Sequence, residues 1–101
     1  MPVYVVAHIA VEDAESYAAY QGVGLPILAA SGGKVIAGGP GGVSLEGEPL
    51  PSSSAIVEFD SMEAALAWYH SEAYQQTIPM RTKCSTAHMI AIVPGVSMPS
   101  S

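Results

Sequence analysis

Four short stretches of the chain are apolar, rich in β-branched residues and bounded by turn formers: residues 3–9 (VYVVAHI), 34–38 (KVIAG), 54–60 (SAIVEFD) and 87–93 (AHMIAIV). Runs of this length and punctuation predict strands. Helical spacing fills the gaps between them. Asp13 is placed to cap a first helix over DAESYAAYQ, with Ala14, Tyr17, Ala18 and Gln21 on one face. Gly22, Gly24 and Pro26 predict a break after Gln21, a restart at PILAAS and a stop at Gly32-Gly33. Asp60, with Glu63 three residues on, has the spacing of a capping box for a second helix. At 100° per residue, Met62, Ala65, Leu66 and Tyr69 form its apolar stripe, which puts Tyr69 at the centre of the buried face and Trp68 and His70 at its borders. Ser71 is placed to cap a short following turn, SEAYQQTIP, ended by Pro79, that returns Tyr74 toward the sheet. Residues 39–53 are rich in Gly, Pro and Ser and predict a long hairpin loop, while the segment 97–101 reads as a flexible tail.

The order strand, helix, strand, strand, helix, strand is the split βαβ pattern of a ferredoxin-like α+β domain, expected over residues 1–96, with one four-stranded antiparallel sheet and both helices on one side. A sheet covered on one side only should alternate apolar and polar residues. Here Val3, Val5, Ala7 and Ile9 are apolar, but so are Tyr4 and Val6, and AHMIAIV is apolar in both phases. The second face therefore needs a cover, and the expected one is a second copy of the chain, sheet against sheet in a homodimer.

Composition narrows the partners. In 101 residues, 3 Lys or Arg stand against 9 Asp or Glu, a net charge of −6, which lacks the basic footprint of a nucleic-acid binder or of a protein held on an anionic membrane. No apolar run approaches the roughly 20 residues that span a bilayer, and the N-terminal MPVYVVAHIA has neither a basic leader nor a cleavage site, so a cytoplasmic location is expected. The one cysteine, Cys84, forms no internal disulfide and no sulfur metal site by itself, and is expected to be a small core or surface residue and not a reactive thiol.

Few residues carry chemistry. Arg81 offers a planar fork for a carboxylate or enolate, unless Glu58 or Glu72 takes it as an ion pair. His8 lies late in the first strand, and histidine's reference pKa of about 6.5 suits proton transfer near neutrality, the alternative being a satisfied core histidine. Glu58, between Val57 and Phe59, is either the partner of Arg81 or a base. Tyr20 is a hydrogen-bond donor or a packing residue, and His70 and Tyr74 are further candidate substrate contacts. The spacing of His8, His70 and His88 matches no metal-ligand motif, so no metal is expected.

The runs VEDAESYAAYQ, LPILAASGGKVIAGG, LEGE, AIVEFDSMEAALAWYHSEAYQ, the lone Arg81 and the closing IVPGV resemble the DUF1330 family, small proteins of the dimeric α+β barrel superfamily. The resemblance covers roughly residues 3–96 and carries Asp13, Tyr17, Tyr20, Gly32, Gly33, Glu58, Phe59, Ser71, Tyr74 and Arg81. It departs at His8, where Asp is frequent, and at Ser52–Ser54, which replace a stretch that often includes a basic residue. The resemblance implies the ferredoxin-like fold and a homodimer, but no settled reaction. Two functions follow as expectations. One is an enzyme of isomerase, lyase or monooxygenase type that needs no cofactor and acts on a small anionic or aromatic molecule, with His8 and Glu58 catalytic and Arg81 holding the anion. The other is a homodimeric binding or stress-related module without chemistry. Convergence of His8, Glu58, Tyr20 and Arg81 around a cavity of several hundred Å³ is what the enzyme reading requires.

Overall fold

The computed structural model describes residues 1–96, and the tail expected over 97–101 lies outside them. Strand β1 (Val3–Val11) leads into helix α1 (Ala14–Ala30), followed by β2 (Lys34–Gly39), β3 (Ser53–Phe59), helices α2 (Met62–His70), α3 (Glu72–Gln75) and α4 (Ile78–Thr82), and β4 (Ser85–Pro94). The strands form one antiparallel sheet in the order β2-β3-β1-β4, the ferredoxin-like arrangement.

Helix starts follow from small polar residues. Asp13 accepts from the Ser16 N–H at 3.3 Å and from the Ser16 hydroxyl at 2.8 Å, so it caps α1 as expected. Helix α2 is capped by Ser61, whose hydroxyl accepts from the Ala64 N–H at 3.1 Å; the expected cap, Asp60, lies one residue too early. Ser71 caps α3 by accepting from Tyr74 N–H at 3.2 Å, and Tyr74 does return to the core. Pro79 does not end this segment. It opens α4 instead, where its missing N–H is one that a first helical turn leaves free in any case.

The break expected in the first helix is absent, since α1 runs unbroken through Gly22, Gly24 and Pro26. Pro26 forfeits the bond to the Gly22 carbonyl, and with no Cβ on residue 22 the backbone there has room to tilt away from the ring. The helical face also shifts: Ala14, Ala18 and Gln21 are exposed, while Gly24 and Leu28 are buried and Tyr17 and Tyr20 half-buried. The helix closes at Gly32, whose φ of +92° favours glycine. At Gly33 a Cβ would lie 2.7 Å from Leu28 Cδ1 and 2.8 Å from Phe59 Cζ, so only glycine lets the chain pass beneath the core into β2.

Alternation along β1 is clean: Val3, Val5, Ala7 and Ile9 are buried, and Tyr4, Val6, His8 and Ala10 are half-buried. Val3 and Val5, with Val57 and Phe59 of β3, pack under Leu28, Ala65, Trp68 and Tyr74. In α2 the buried residues are Ala65 and Trp68, whereas Met62, Leu66 and His70 are exposed and Tyr69 half-buried. The stripe expected through Tyr69 is therefore turned by about one residue, and Trp68 takes the central place. Phe59 stacks on Trp68 with ring centroids 5.5 Å apart, and Tyr74 lies at 4.4 Å on Trp68, which fills the layer between sheet and helices. Cys84, expected in the core or on the surface, is buried.

The other face of the sheet carries Tyr4, Val6 and His8 with their register partners Glu58, Ile56 and Ser54 on β3, and Val93, Ala91 and Met89 on β4. Met89 and Val93 are exposed on this face.

Candidate functional site

The residues between Ser71 and Ser85 direct one cation inward. Thr77, buried, donates its hydroxyl to the Tyr74 carbonyl at 2.6 Å, which ties α4 to α3. Ser85 Oγ and Cys84 N–H both donate to the Arg81 carbonyl, so the backbone at residue 81 is held from two sides. The Arg81 side chain is only 5 % exposed, its Nε has no hydrogen-bond partner, and no carboxylate among the described residues forms an ion pair with it. The alternative of an ion pair to Glu58 or Glu72 is thereby not realised.

Arg81 lines a cavity of about 100 Å³ between the helices and the sheet. Helix α1 contributes Tyr17 and Tyr20, one turn apart with ring centroids at 5.4 Å. Tyr20 Oη and Tyr74 Oη share a hydrogen bond at 2.8 Å, which joins α1 to α3 across the cavity wall. Trp68 and the apolar residues Ala7 and Val57 complete the part of the wall that matters here. Burial pushes the Tyr17 hydroxyl up from its ordinary value, opposed by the nearby Arg81 charge. Burial also pushes Tyr20 up, far more strongly, with the hydrogen bond to Tyr74 adding to it and Arg81 again opposing. Tyr20 is therefore a neutral hydrogen-bond partner and not a base at ordinary pH.

Of the residues expected at a site, Arg81, Tyr20 and Tyr74 come together here. His8 and Glu58 do not. Glu58 pairs in register with Tyr4, and His8 lies two residues further along each alternation from Val6, so both sit on the open face, with the sheet between them and Arg81. There His8 Nδ1 and Ser54 Oγ hydrogen-bond at 2.9 Å. His70 is exposed and borders a separate groove of about 400 Å³ between α2 and β4, together with Leu66, Tyr69 and Ile92. The full convergence on which the enzyme expectation leaned is absent, and the cavity is smaller than the several hundred Å³ anticipated. Trp68 and Tyr17 were not among the expected contacts. A stripe through Ala65 and Trp68 fits the 3.6-residue period as well as one through Tyr69, and the small-large pairing beside Phe59 was the available signal. Among the described residues no group of three His, Cys, Asp or Glu is placed to hold a metal ion.

Residues 2–96 match the family described as Domain of unknown function (DUF1330). The chain belongs to the DUF1330 family. No curated protein matches its sequence. Among solved structures it is similar to the RPA0582 protein of unknown function from Rhodopseudomonas palustris, at 20 % identity and a TM-score of 0.74 over 96 % of this chain and 84 % of that one. It is also similar to SnoaB, a cofactor-independent oxygenase from Streptomyces nogalater, at 11 % identity and a TM-score of 0.70 over 96 % and 95 % of the two chains. HapK from Hahella chejuensis follows at 9 % identity and 0.62, over 98 % and 97 %. These likenesses establish the fold alone, the ferredoxin-like α+β arrangement. No helix of the described residues is long and apolar enough to cross a membrane.

Proposed function

We propose that this DUF1330 protein is a homodimer that takes a small organic anion, of single-ring size or less, into the cavity at Arg81 and acts on it without a cofactor. One observation carries the reading: a guanidinium buried to 5 % exposure, on a cavity wall, with no carboxylate among the described residues to neutralise it. A buried charge is costly unless compensated, and a bound carboxylate, phenolate or enolate supplies the compensation with the fork geometry that arginine matches. The size limit follows from the cavity, about 100 Å³ and partly open to solvent, so that a single ring need not lie wholly within it.

The chemistry open to such a site is stabilisation of an oxyanion. Arg81 supplies charge, and the Tyr20–Tyr74 pair, whose Tyr20 proton burial holds in place, has one O–H left to donate once the two hydroxyls have bonded each other. A substrate already acidic enough to form an enolate or phenolate needs little more, which suits an isomerase, lyase or monooxygenase type of reaction and agrees with the likeness to SnoaB, itself a cofactor-independent oxygenase. A second reading, a binding module without turnover, is favoured by the placement of His8 and Glu58 on the other face, away from the cavity. In the proposed homodimer that face, with Tyr4, Val6 and Ile56, is covered by the partner sheet.

Calorimetric titration with benzoate and with neutral benzamide tests the pocket. Benzoate is expected to bind and benzamide not, with Arg81→Lys weakening benzoate because a point charge does not reproduce the fork. Equal affinity for the two probes overturns the anion site. Deuterium exchange into an enolisable acid, followed by NMR, separates the two readings: exchange that depends on Arg81 supports an enzyme, and binding without exchange supports the module.

A further inference from the structure

The cavity wall holds a second polar group without a partner. Among the described residues neither Trp68 Nε1 nor Arg81 Nε, both buried, has a hydrogen-bond partner, and both residues line this cavity, Trp68 bordering the groove between α2 and β4 as well. Both atoms are donors only. The remaining polar groups there do not relieve them, since Tyr20 and Tyr74 bond each other and leave one further O–H to donate. The indole packs against one member of this pair, its centroid 4.4 Å from the Tyr74 ring and the two planes tilted by 40°. The site is thus rich in donors; its side-chain acceptors are the phenol oxygens and the Gln21 amide oxygen, and neither kind reaches the indole N–H or Arg81 Nε. A plain carboxylate answers the guanidinium, but leaves the indole N–H unanswered unless the ligand brings another oxygen.

We propose that Trp68 is a specificity-determining residue of the cavity and that the ligand class is a small oxo acid, its carboxylate on Arg81 and its keto or enolate oxygen accepting from the Trp68 indole N–H. This rests on the anion site proposed above and narrows it. The arrangement discriminates in one direction. An acid without the second oxygen leaves a buried donor unsatisfied, whereas an oxo acid of the same length satisfies both. The ligand's apolar remainder lies against Ala7 and Val57, which accept neither polarity nor much bulk.

The protein has a single tryptophan, so one indole cross-peak in a ¹⁵N–¹H correlation spectrum reports on this N–H without any substitution. Titration of the ¹⁵N-labelled chain with 2-oxobutanoate is expected to move that peak downfield in a saturable way, while butanoate leaves it nearly in place. Affinity for 2-oxobutanoate is expected to exceed that for butanoate about tenfold, the worth of one buried hydrogen bond. In Trp68→Phe, which keeps an aromatic ring and removes the donor, the preference should fall to near unity while butanoate binding persists. If both acids bind the wild-type protein equally and the indole peak stays still, the oxo-acid inference is overturned and the anion site survives. If neither acid binds at millimolar concentration while benzoate does, the inference also fails and the cavity selects by ring. If benzoate fails too, the anion site itself falls.

Discussion

An uncompensated buried cation should cost stability, which makes Arg81→Met a sharp test of how the cavity is built. The guanidinium is 5 % exposed, its Nε has no partner, and no carboxylate among the described residues pairs with it. Leaving a buried donor unsatisfied costs about 1–3 kcal/mol, and exchange of buried charged groups for apolar ones of similar volume has stabilised proteins by about 1–4 kcal/mol. Methionine keeps the unbranched stem that packs beneath α1 and removes the charge, and the backbone contacts from Ser85 and Cys84 do not involve the side chain. Arg81→Met is therefore expected to stabilise the ligand-free protein by about 1–3 kcal/mol. For a domain of this size each kcal/mol moves Tm by about 4–8 °C. The assay is urea unfolding in a buffer free of organic anions, repeated with saturating benzoate. Wild-type protein should gain about 2.7 kcal/mol at a hundredfold excess of ligand over Kd, and the variant should gain nothing. A variant that loses more than about 1 kcal/mol without ligand would refute the argument, since it would mean that the cation is compensated within the folded protein.

Three further outcomes follow from the same geometry. Trp68→Ala should destabilise by about 3–5 kcal/mol in denaturant unfolding and Tyr69→Ala by less than half as much, because Trp68 is the buried member of α2 and Tyr69 only half-buried; a reversed order would mean that the helix phase is wrong. The protons of Tyr17 and Tyr20 are held more tightly in the folded state than their ordinary value of 10.0, so the unfolded chain releases them first as pH rises. Stability should be unaffected by these groups below pH 10 and fall above it, with a shallower fall in Tyr20→Phe; an unchanged slope in that variant, read from unfolding at pH 10–11.5, would exclude Tyr20 as its source. Light scattering should give twice the chain mass of 10.4 kDa for the wild-type protein and the chain mass for Val6→Glu, and a wild-type monomer at micromolar concentration would remove the dimer.

Most of the fold was open to reading because local signals agreed with one another. The four apolar runs, the cap at Asp13, the cap at Ser71 and the return of Tyr74 stand close to where the pattern put them. The continuity of α1 was hidden because glycine and proline carry a strong local preference that packing of Tyr17, Tyr20, Gly24 and Leu28 against the sheet overrides. The phase of α2 was ambiguous for another reason. Met62, Leu66 and Tyr69 are apolar yet border a groove at the β4 edge, so the helix has two apolar stripes and its sequence does not rank them.

The candidate site was legible by residue type and illegible by side. In β1 both alternation classes are apolar, so nothing in VYVVAHIAV says which of His8 and Ile9 faces the helices. Glu58 is different: it stands between Val57 and Phe59, and if those two fill the core then Glu58 points away from it, which parity alone determines. That reasoning separates Glu58 from any residue delivered by the helices, including Arg81. Among the described residues that line the cavity there are a cation, three phenols, the Gln21 amide and an indole, and no carboxylate. Folding alone gives no reason to place the charge there, since an apolar residue would serve the core better. An anion that arrives from outside gives one. The same reasoning extends to the indole, whose unanswered N–H makes no contribution to the core that a phenyl ring would not make equally well.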